Sequence, residues 1–253
     1  MFTLVQAPHY DAHADLLERM FHLRKEVFKD QLDWAVEVRG GQERDAYDEL
    51  HPAYILWTDD AKTTLYGSLR LMPTTGPTLL YDTFRRTFPD TCDLSAPGIW
   101  EGTRMCVDEA ALARDHPDLD PGRAFCLMLL ALCEVALAHG IHTMISNYEP
   151  HMARIYRRAG AELDQLGRAE GYGKRPVCCG AFEVSERILG VMRAKLGVEA
   201  PLYRRPRPTR RATAVAPSPI PARERAPSVA PAPALPPAAV IARVALPRHG
   251  AVS

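Results

Sequence analysis

Four short stretches of this chain hold more charge and aromatic surface than a core needs. Arg24 falls between Leu23 and Val27 and is followed by Phe28 and Trp34. A guanidinium placed so can grip a carboxylate through paired hydrogen bonds or lie on an aromatic ring; it can equally be a solvated arginine near a helix C-terminus. Glu43, Asp45, Asp48 and Glu49 put four carboxylates in seven positions, which reads either as a solvated face or as a site for a cationic group. Arg70 follows in a run whose alternation sends Tyr66, Ser68, Arg70 and Met72 one way and Leu65, Gly67, Leu69 and Leu71 the other. If both sides are covered, Arg70 requires an acidic partner, because a buried unpaired charge is costly. In Trp100-Glu101-Gly102-Thr103-Arg104, regular pleating sends Glu101 and Arg104 to opposite faces, and a bulge at Gly102 would bring them together.

The elements that must position these groups follow from periodicity. Phe2 to Gln6 suits a strand, and Leu16, Met20, Leu23 and Val27 share one face of a helix reaching about Phe28. From Lys29 to Glu49 the periodicity fails, which predicts a long loop or lid. Pro52 to Thr58 and Thr63 to Met72 form a hairpin, Leu79 to Phe88 a short helix, and Gly98 to Val107 a strand. An apolar helix over 123–139 follows Pro121-Gly122, then strand 141–147, a helix from Glu149 to Ala159, strands near Glu162 and over 177–184, and helix 185–197. Strands interleaved with helices give an α/β sandwich on a mixed sheet, in a body of residues 1–200. Cys178 and Cys179 read as packing residues; Cys126, Met128 and Cys133 read as core filler or as the lining of an apolar tunnel.

Composition bounds the rest. The 253 residues are 25% charged and 47% hydrophobic, enough for a substantial core. Net charge is zero, yet residues 201–253 carry nine Arg against one acid, Glu224, and 12 of the 22 Pro, so an acidic body has a basic tail with the composition of disorder. Six Cys without Cys-x-x-Cys or histidines at ligand spacing predict neither a disulfide framework nor a metal site, and suggest reduced thiols in cytoplasm. The apolar run 124–138 contains Glu134 and is short of a membrane span, and the N-terminal residues lack a signal pattern, so neither membrane nor export is expected.

Taken in order, Arg24, Phe28, Trp34, Glu43, Asp45, Asp48, Arg70, Phe84, Glu101 and Arg104 resemble the signature set of the acyl-homoserine-lactone synthases, the autoinducer synthases of bacterial quorum sensing. The likeness runs over roughly residues 1–185; Tyr47 stands where the family more often has Phe. It implies a single three-layer sandwich similar to the GNAT acyltransferases. It also implies transfer of an acyl chain from acyl carrier protein to the amino group of S-adenosylmethionine, then lactonisation with release of methylthioadenosine. S-adenosylmethionine would be a consumed substrate, with no cofactor or metal.

Such a reaction needs a base for the substrate ammonium, for which Glu101 is the candidate. Asp45 and Asp48 would face the cationic side of the substrate, Arg24 or Arg104 its carboxylate, and Arg70 an acid of the same cluster. Phe28 and Trp34 would wall the adenosyl group, with Phe84 in the same substrate-binding set. Thr143 resembles the family position whose hydroxyl is linked to acceptance of an oxygen at acyl carbon 3. Arg154, Arg157 and Arg158 share a helix face beside Lys174, a basic surface fit for an acidic carrier protein. Two other readings stay open. A GNAT-like N-acyltransferase using acyl-CoA calls for a glycine-rich pyrophosphate loop, of which Asp120 to Arg123 is a poor example. A regulatory module binding nucleic acid through the tail is disfavoured, because the polar set lies within residues 24–104.

Overall fold

The computed structural model describes residues 1–205. Its centre is a seven-stranded mixed sheet built from β1 (Phe2–Val5), β4 (Ala53–Thr58), β5 (Leu65–Pro73), β6 (Ile99–Val107), β7 (Thr143–Tyr148), β8 (Leu163–Ala169) and β9 (Val177–Glu183), in the order β1-β4-β5-β6-β7-β9-β8. A small hairpin, β2 (Val38–Arg39) and β3 (Gln42–Glu43), stands apart. All sheet neighbours are antiparallel except β6 and β7, which a crossover through α3 (Glu109–Asp115) and α4 (Pro121–Ala138) makes parallel. The elements α2 (Leu79–Asp82), α5 (Met152–Ala159) and α6 (Glu186–Leu196) complete the set begun by α1 (Ala14–Arg24).

The sheet is covered on both faces. Leu16, Met20 and Phe21 of α1 pack with Tyr54, Leu56 and Cys106 on one side, while α4, α5 and α6 bury Leu69, Leu71, Met105 and Met144 on the other. This is the expected three-layer α/β sandwich. Helix α4 is the one described helix long and apolar enough to cross a membrane, but 67% of it is buried inside the protein, where it serves as the core helix.

One feature of the sheet organises the site. β6 and β7 pair at only three positions, Ile99 with Thr143, Trp100 with Met144 and Glu101 with Ile145. Both strands run on beyond, β6 along β5 and β7 along β9, so the sheet splays just past Glu101.

Four expectations are corrected by the structure. The first helix does not stop at Phe28 but continues as a π-helical stretch, Lys25–Gln31. Residues 29–49 are not a free lid: after the hairpin β2–β3 comes a 3-10 turn, Ala46–Leu50, pinned by buried ion pairs. Helix α3 went unread, because its seven residues are too few for a clear period. The body does not end at 200. The Tyr203 backbone N–H donates to Glu134 Oε2 at 2.7 Å, its ring is buried, and it bridges to Phe2 beside β1. The disorder expected of the tail concerns, from 206 onward, residues outside those described.

Candidate active site

The charged residues singled out in the sequence converge into one buried network. Arg24 donates through Nε to Glu43 Oε2 at 2.6 Å and through Nη1 and Nη2 to the two oxygens of Asp48 at 2.8 and 2.9 Å. Arg70 donates to Asp45, to Asp48 Oδ1 at 3.0 Å and, through Nε, to Thr103 Oγ1 at 2.9 Å. Arg104 joins Glu43 Oε1 at 3.0 Å to Asp45 Oδ2 at 2.8 Å. Three guanidiniums thus meet three carboxylates, and the charge closes to zero. Burial pushes the Asp45 carboxyl up, but Arg70 and then Arg104 outweigh it and hold it below the usual range. Arg24 and Arg70 do the same for Asp48, against the same opposing burial.

This arrangement bears on two of the expected roles. Each nitrogen of Arg24 already donates within the network and the residue is 1% exposed, so it lies beneath the carboxylates it holds. Asp48 is saturated as well, by Arg24, Arg70, the Tyr54 hydroxyl at 2.8 Å and the Asp45 backbone N–H at 2.9 Å. Its hydrogen-bonding capacity is thus spent inside the network. Asp45 caps the 3-10 turn by accepting from Tyr47 N–H and keeps a partly exposed edge. Arg104 alone of the three arginines has a nitrogen, Nη1, outside the network.

The bulge expected at Gly102 lies two residues on. Arg70 pairs with Thr103 and Ser68 with Cys106, so one residue of β5 opposes two of β6, Arg104 and Met105. Arg104 takes the left-handed conformation, φ 55°, which is uncommon for a residue with a side chain. The bulge does what was expected of it: Glu101, Thr103 and Arg104 all look toward the α1 side, while Gly102 looks toward α4.

Glu101 is fully buried, and its carboxylate makes no full hydrogen bond, although the backbone N–H groups of Leu79 and Leu80 stand near it. Burial pushes its carboxyl up to about 8, although Arg70 and the amides of Leu80 and Leu79 at the start of α2 pull the other way. Aromatic rings stand beside the charged network, Arg104 lying over Phe28. Phe28 stacks on Trp34 with centroids 4.9 Å apart, and Phe84 packs on Tyr172 at 5.0 Å. Trp34 touches the Phe84 group, so the three expected aromatics form one boundary. Asp82, not singled out in the sequence, is held by the Tyr47 hydroxyl at 3.0 Å and is close enough to Glu101 to raise its carboxyl further.

On the opposite face, where the strands splay, lies an apolar cavity whose lining includes Gly102, Met105, Cys133, Met144, Ser146 and Met192. Cys133 is thus part of a pocket wall, while Cys126 and Met128 are buried core. Thr143 is not in this lining; its hydroxyl sits at the outer end of β7, 3.0 Å from His142 Nδ1. The β7 hydroxyl in the lining belongs to Ser146, hydrogen-bonded to Tyr156, which lines the cavity too. Cys179 is buried and its thiol is pushed up to about 12 by that burial, as suits a packing residue. Arg154, Arg157, Arg158 and Lys174 are exposed, and neighbouring Arg175 reaches Glu149 at the start of α5, which brings that loop beside the helix. Among the described residues no cluster fit for a metal ion occurs.

A mixed sheet that splays between β6 and β7, with a buried carboxyl on one face and an apolar cavity on the other, is an α/β sandwich with a candidate site at its centre. The family model described as autoinducer synthase matches residues 9–189. An acyl-homoserine-lactone synthase of Rhizobium etli is 39% identical over 184 residues, covering 71% of this chain and 82% of its own. Another, of Rhizobium radiobacter, is 34% identical over 185 residues, covering 71% and 84%. Among solved structures, the CoA-dependent acyl-homoserine lactone synthase MesI is 25% identical with a TM-score of 0.68, over 79% of this chain and 97% of its own. BjaI, another CoA-dependent synthase, solved with SAM and isopentyl-CoA, is 24% identical with a TM-score of 0.70, over 79% and 91%. The chain belongs to the autoinducer synthase family and is an acyltransferase.

Proposed function

We propose that the chain makes an N-acyl-homoserine lactone from S-adenosylmethionine and an acyl thioester carried by acyl carrier protein, with Glu101 as the base and no bound cofactor. The observation that carries this reading is the Glu101 carboxyl, buried beside the splay of β6 from β7, with the apolar cavity across the sheet from it. An α-ammonium ordinarily titrates at about 7.7–8.0, so a carboxyl at about 8 is matched to take its proton. Ionisation of Glu101 is helped when a cationic substrate enters beside it.

The freed amine attacks the thioester carbonyl; a C–N bond forms, the C–S bond breaks, and the carrier thiol leaves with a proton. The substrate carboxylate then attacks its own carbon next to the sulfonium. A C–O bond forms, a C–S bond breaks, and neutral methylthioadenosine departs without further proton transfer. Arg104 Nη1 is the donor for that carboxylate. Phe28 and Trp34 offer ring faces to the sulfonium, a contact worth about 0.5–2 kcal/mol. Arg24, Arg70, Glu43 and Asp48 hold the frame, and Asp45 turns the exposed edge of that frame toward the substrate.

Carrier protein is favoured over coenzyme A by the exposed arginines of α5 with Lys174. The competing reading, an acyl-CoA donor, is favoured by the CoA-dependent synthases among the similar folds. The test supplies purified protein with S-adenosylmethionine and the same acyl group on either carrier, and follows lactone and methylthioadenosine by mass spectrometry. Equimolar products from the carrier-protein donor are expected, at a kcat/KM at least tenfold above acyl-CoA. The reverse preference would assign coenzyme A, and absence of lactone from both would overturn the reaction.

A further inference from the structure

A buried carboxyl that keeps its proton at neutral pH attracts a cation only weakly, so Glu101 is poorly suited to capture an incoming ammonium by itself. A second group must receive the ammonium and hold it while Glu101 takes the proton. The carboxylates of the buried network are already answered: Glu43, Asp45 and Asp48 meet Arg24, Arg70 and Arg104, charge for charge. Asp82 stands outside that count. It is exposed, and among the described residues it makes no ion pair. Its carboxylate accepts one hydrogen bond there, from the Tyr47 hydroxyl to Oδ2 at 3.0 Å, which leaves Oδ1 free.

The position of Asp82 suits that task. It ends α2, whose first amides, of Leu79 and Leu80, stand near the Glu101 carboxyl, and its own charge is felt at that carboxyl. Tyr47 ties this end of α2 to the 3-10 turn that carries Asp45. Its backbone N–H donates to Asp45 Oδ1 at 3.0 Å, and its ring lies 5.6 Å from the Arg70 guanidinium and packs against the group of Leu79 and Phe84. Phenylalanine, the commoner residue at position 47 in the family, has no hydroxyl to offer Asp82. We propose that Asp82 is a substrate-binding residue that receives the ammonium of S-adenosylmethionine, with the Tyr47 hydroxyl as its positioning group. One ammonium N–H gives its proton to the Glu101 carboxylate, a second stays hydrogen-bonded to Asp82 Oδ1, and the lone pair so released attacks the thioester carbonyl. The inference rests on the acyl-transfer reading above.

The test measures binding of S-adenosylmethionine and of its deamino analogue, which keeps the sulfonium and the carboxylate, to the full-length wild type, Asp82→Asn, Tyr47→Phe and the double variant. The wild type should prefer S-adenosylmethionine about tenfold or more, as befits a hydrogen bond to a charged group. Asp82→Asn should remove most of that preference and leave affinity for the analogue unchanged. Tyr47→Phe should remove a smaller part, and none further in the double variant, because both substitutions act on one hydrogen-bonded pair. In turnover, Asp82→Asn should raise the KM for S-adenosylmethionine and not that for the acyl donor. The acid limb of kcat/KM should also move to lower pH, since loss of a neighbouring negative charge eases the ionisation of Glu101. The other titratable neighbours, Arg70 on β5, Tyr47 on the turn and Cys179 on β9, are all pushed up, away from neutral pH, and leave that limb alone. An Asp82→Asn protein that discriminates like wild type, or that loses affinity for both ligands alike, would overturn the assignment. Discrimination as expected with no lactone from any donor would uphold the ammonium site and sink the acyl-transfer reading instead.

Discussion

Glu101 is fully buried, and that burial outweighs the pull of Arg70 and of the Leu80 and Leu79 amides and raises its carboxyl to about 8. That state has a measurable consequence for stability. With an ordinary value of 4.5 and a folded value of about 8, the carboxyl binds its proton more tightly in the folded protein. Its contribution to stability is fully present below pH 4.5 and is lost as pH rises through about 8. Glu101→Gln, which keeps the shape and removes the titration, is expected to abolish amine acylation. It should also raise the melting temperature above wild type by more at pH 8.5 than at pH 5, a difference that thermal melts at the two values would read. Near-normal turnover of this variant at pH 7 would remove Glu101 from the role of base. At the same scale, Thr143→Val is expected to leave donor preference unchanged, because that hydroxyl bonds His142 away from the cavity. Ser146→Ala should shift the preference between 3-oxo and unsubstituted donors several-fold, as one neutral hydrogen bond is worth about 0.5–1.5 kcal/mol. The residue types needed here were legible in the sequence, but which hydroxyl of β7 faces the cavity was not. Thr143 and Ser146 are three apart on one strand, so alternation puts them on opposite sides without saying which side holds the opening.

At the scale of elements, the sequence told what Arg70 would need and not where it would come from. Alternation along β5 required an acid if both faces were covered, and both are covered. The acids arrive from a segment whose charge run looks the same whether it is solvated or folded inward. Its partners lie 19 residues away at Arg24 and 61 away at Arg104, beyond any local pattern. The bulge was misplaced for a related reason: glycine is the usual sign of a special backbone, and here Arg104 adopts φ 55° in its stead. The ion network holds α1, the 3-10 turn after β3, β5 and β6 to one another, so its loss should be felt as stability. Asp48→Asn removes one negative charge from between two guanidiniums and leaves net positive charge buried. A destabilisation of about 3–5 kcal/mol is expected from breaking one partner of a buried pair, measured by urea unfolding at pH 7. Acid has the same effect in the wild type. Asp45 and Asp48 stabilise above their ordinary value of 3.8, and that contribution falls away as pH drops below it. An Asp48→Asn protein as stable as wild type would mean that the network is dispensable to the fold.

Over the whole molecule, the boundary of the folded body and its charge distribution each carry a prediction. The chain docks through Tyr203, which covers Phe2 at the sheet edge and completes the hydrogen bonding of Glu134, otherwise paired with Arg193 at 2.8 Å. A chain ending at residue 200 should therefore melt at lower temperature than one ending at 205, and equal melting would place the boundary earlier. The carrier surface asks more of the design. The body of residues 1–200 has eight more acids than bases, yet α5 presents Arg154, Arg157 and Arg158 on one exposed face, with Lys174 in the loop that Arg175 ties to Glu149. Arg158 also sits 3.4 Å from Asp120, the residue that caps α4, so reversing its charge would disturb a helix terminus. Arg154 and Arg157 make no ion pair among the described residues and are the cleaner targets. An acidic carrier protein approaching this face is steered by charge at a rate that salt weakens over a Debye length of about 10 Å at 0.1 M. Arg154→Glu with Arg157→Glu should raise the KM for the carrier-protein donor several-fold and flatten its dependence on salt. The KM for S-adenosylmethionine should stay unchanged, because the Glu101 site lies within the sheet and the helix face lies outside it. Unaltered kinetics at both low and high salt would show that the carrier docks elsewhere, whereas a parallel rise in the KM for S-adenosylmethionine would show that the substitutions act through the fold.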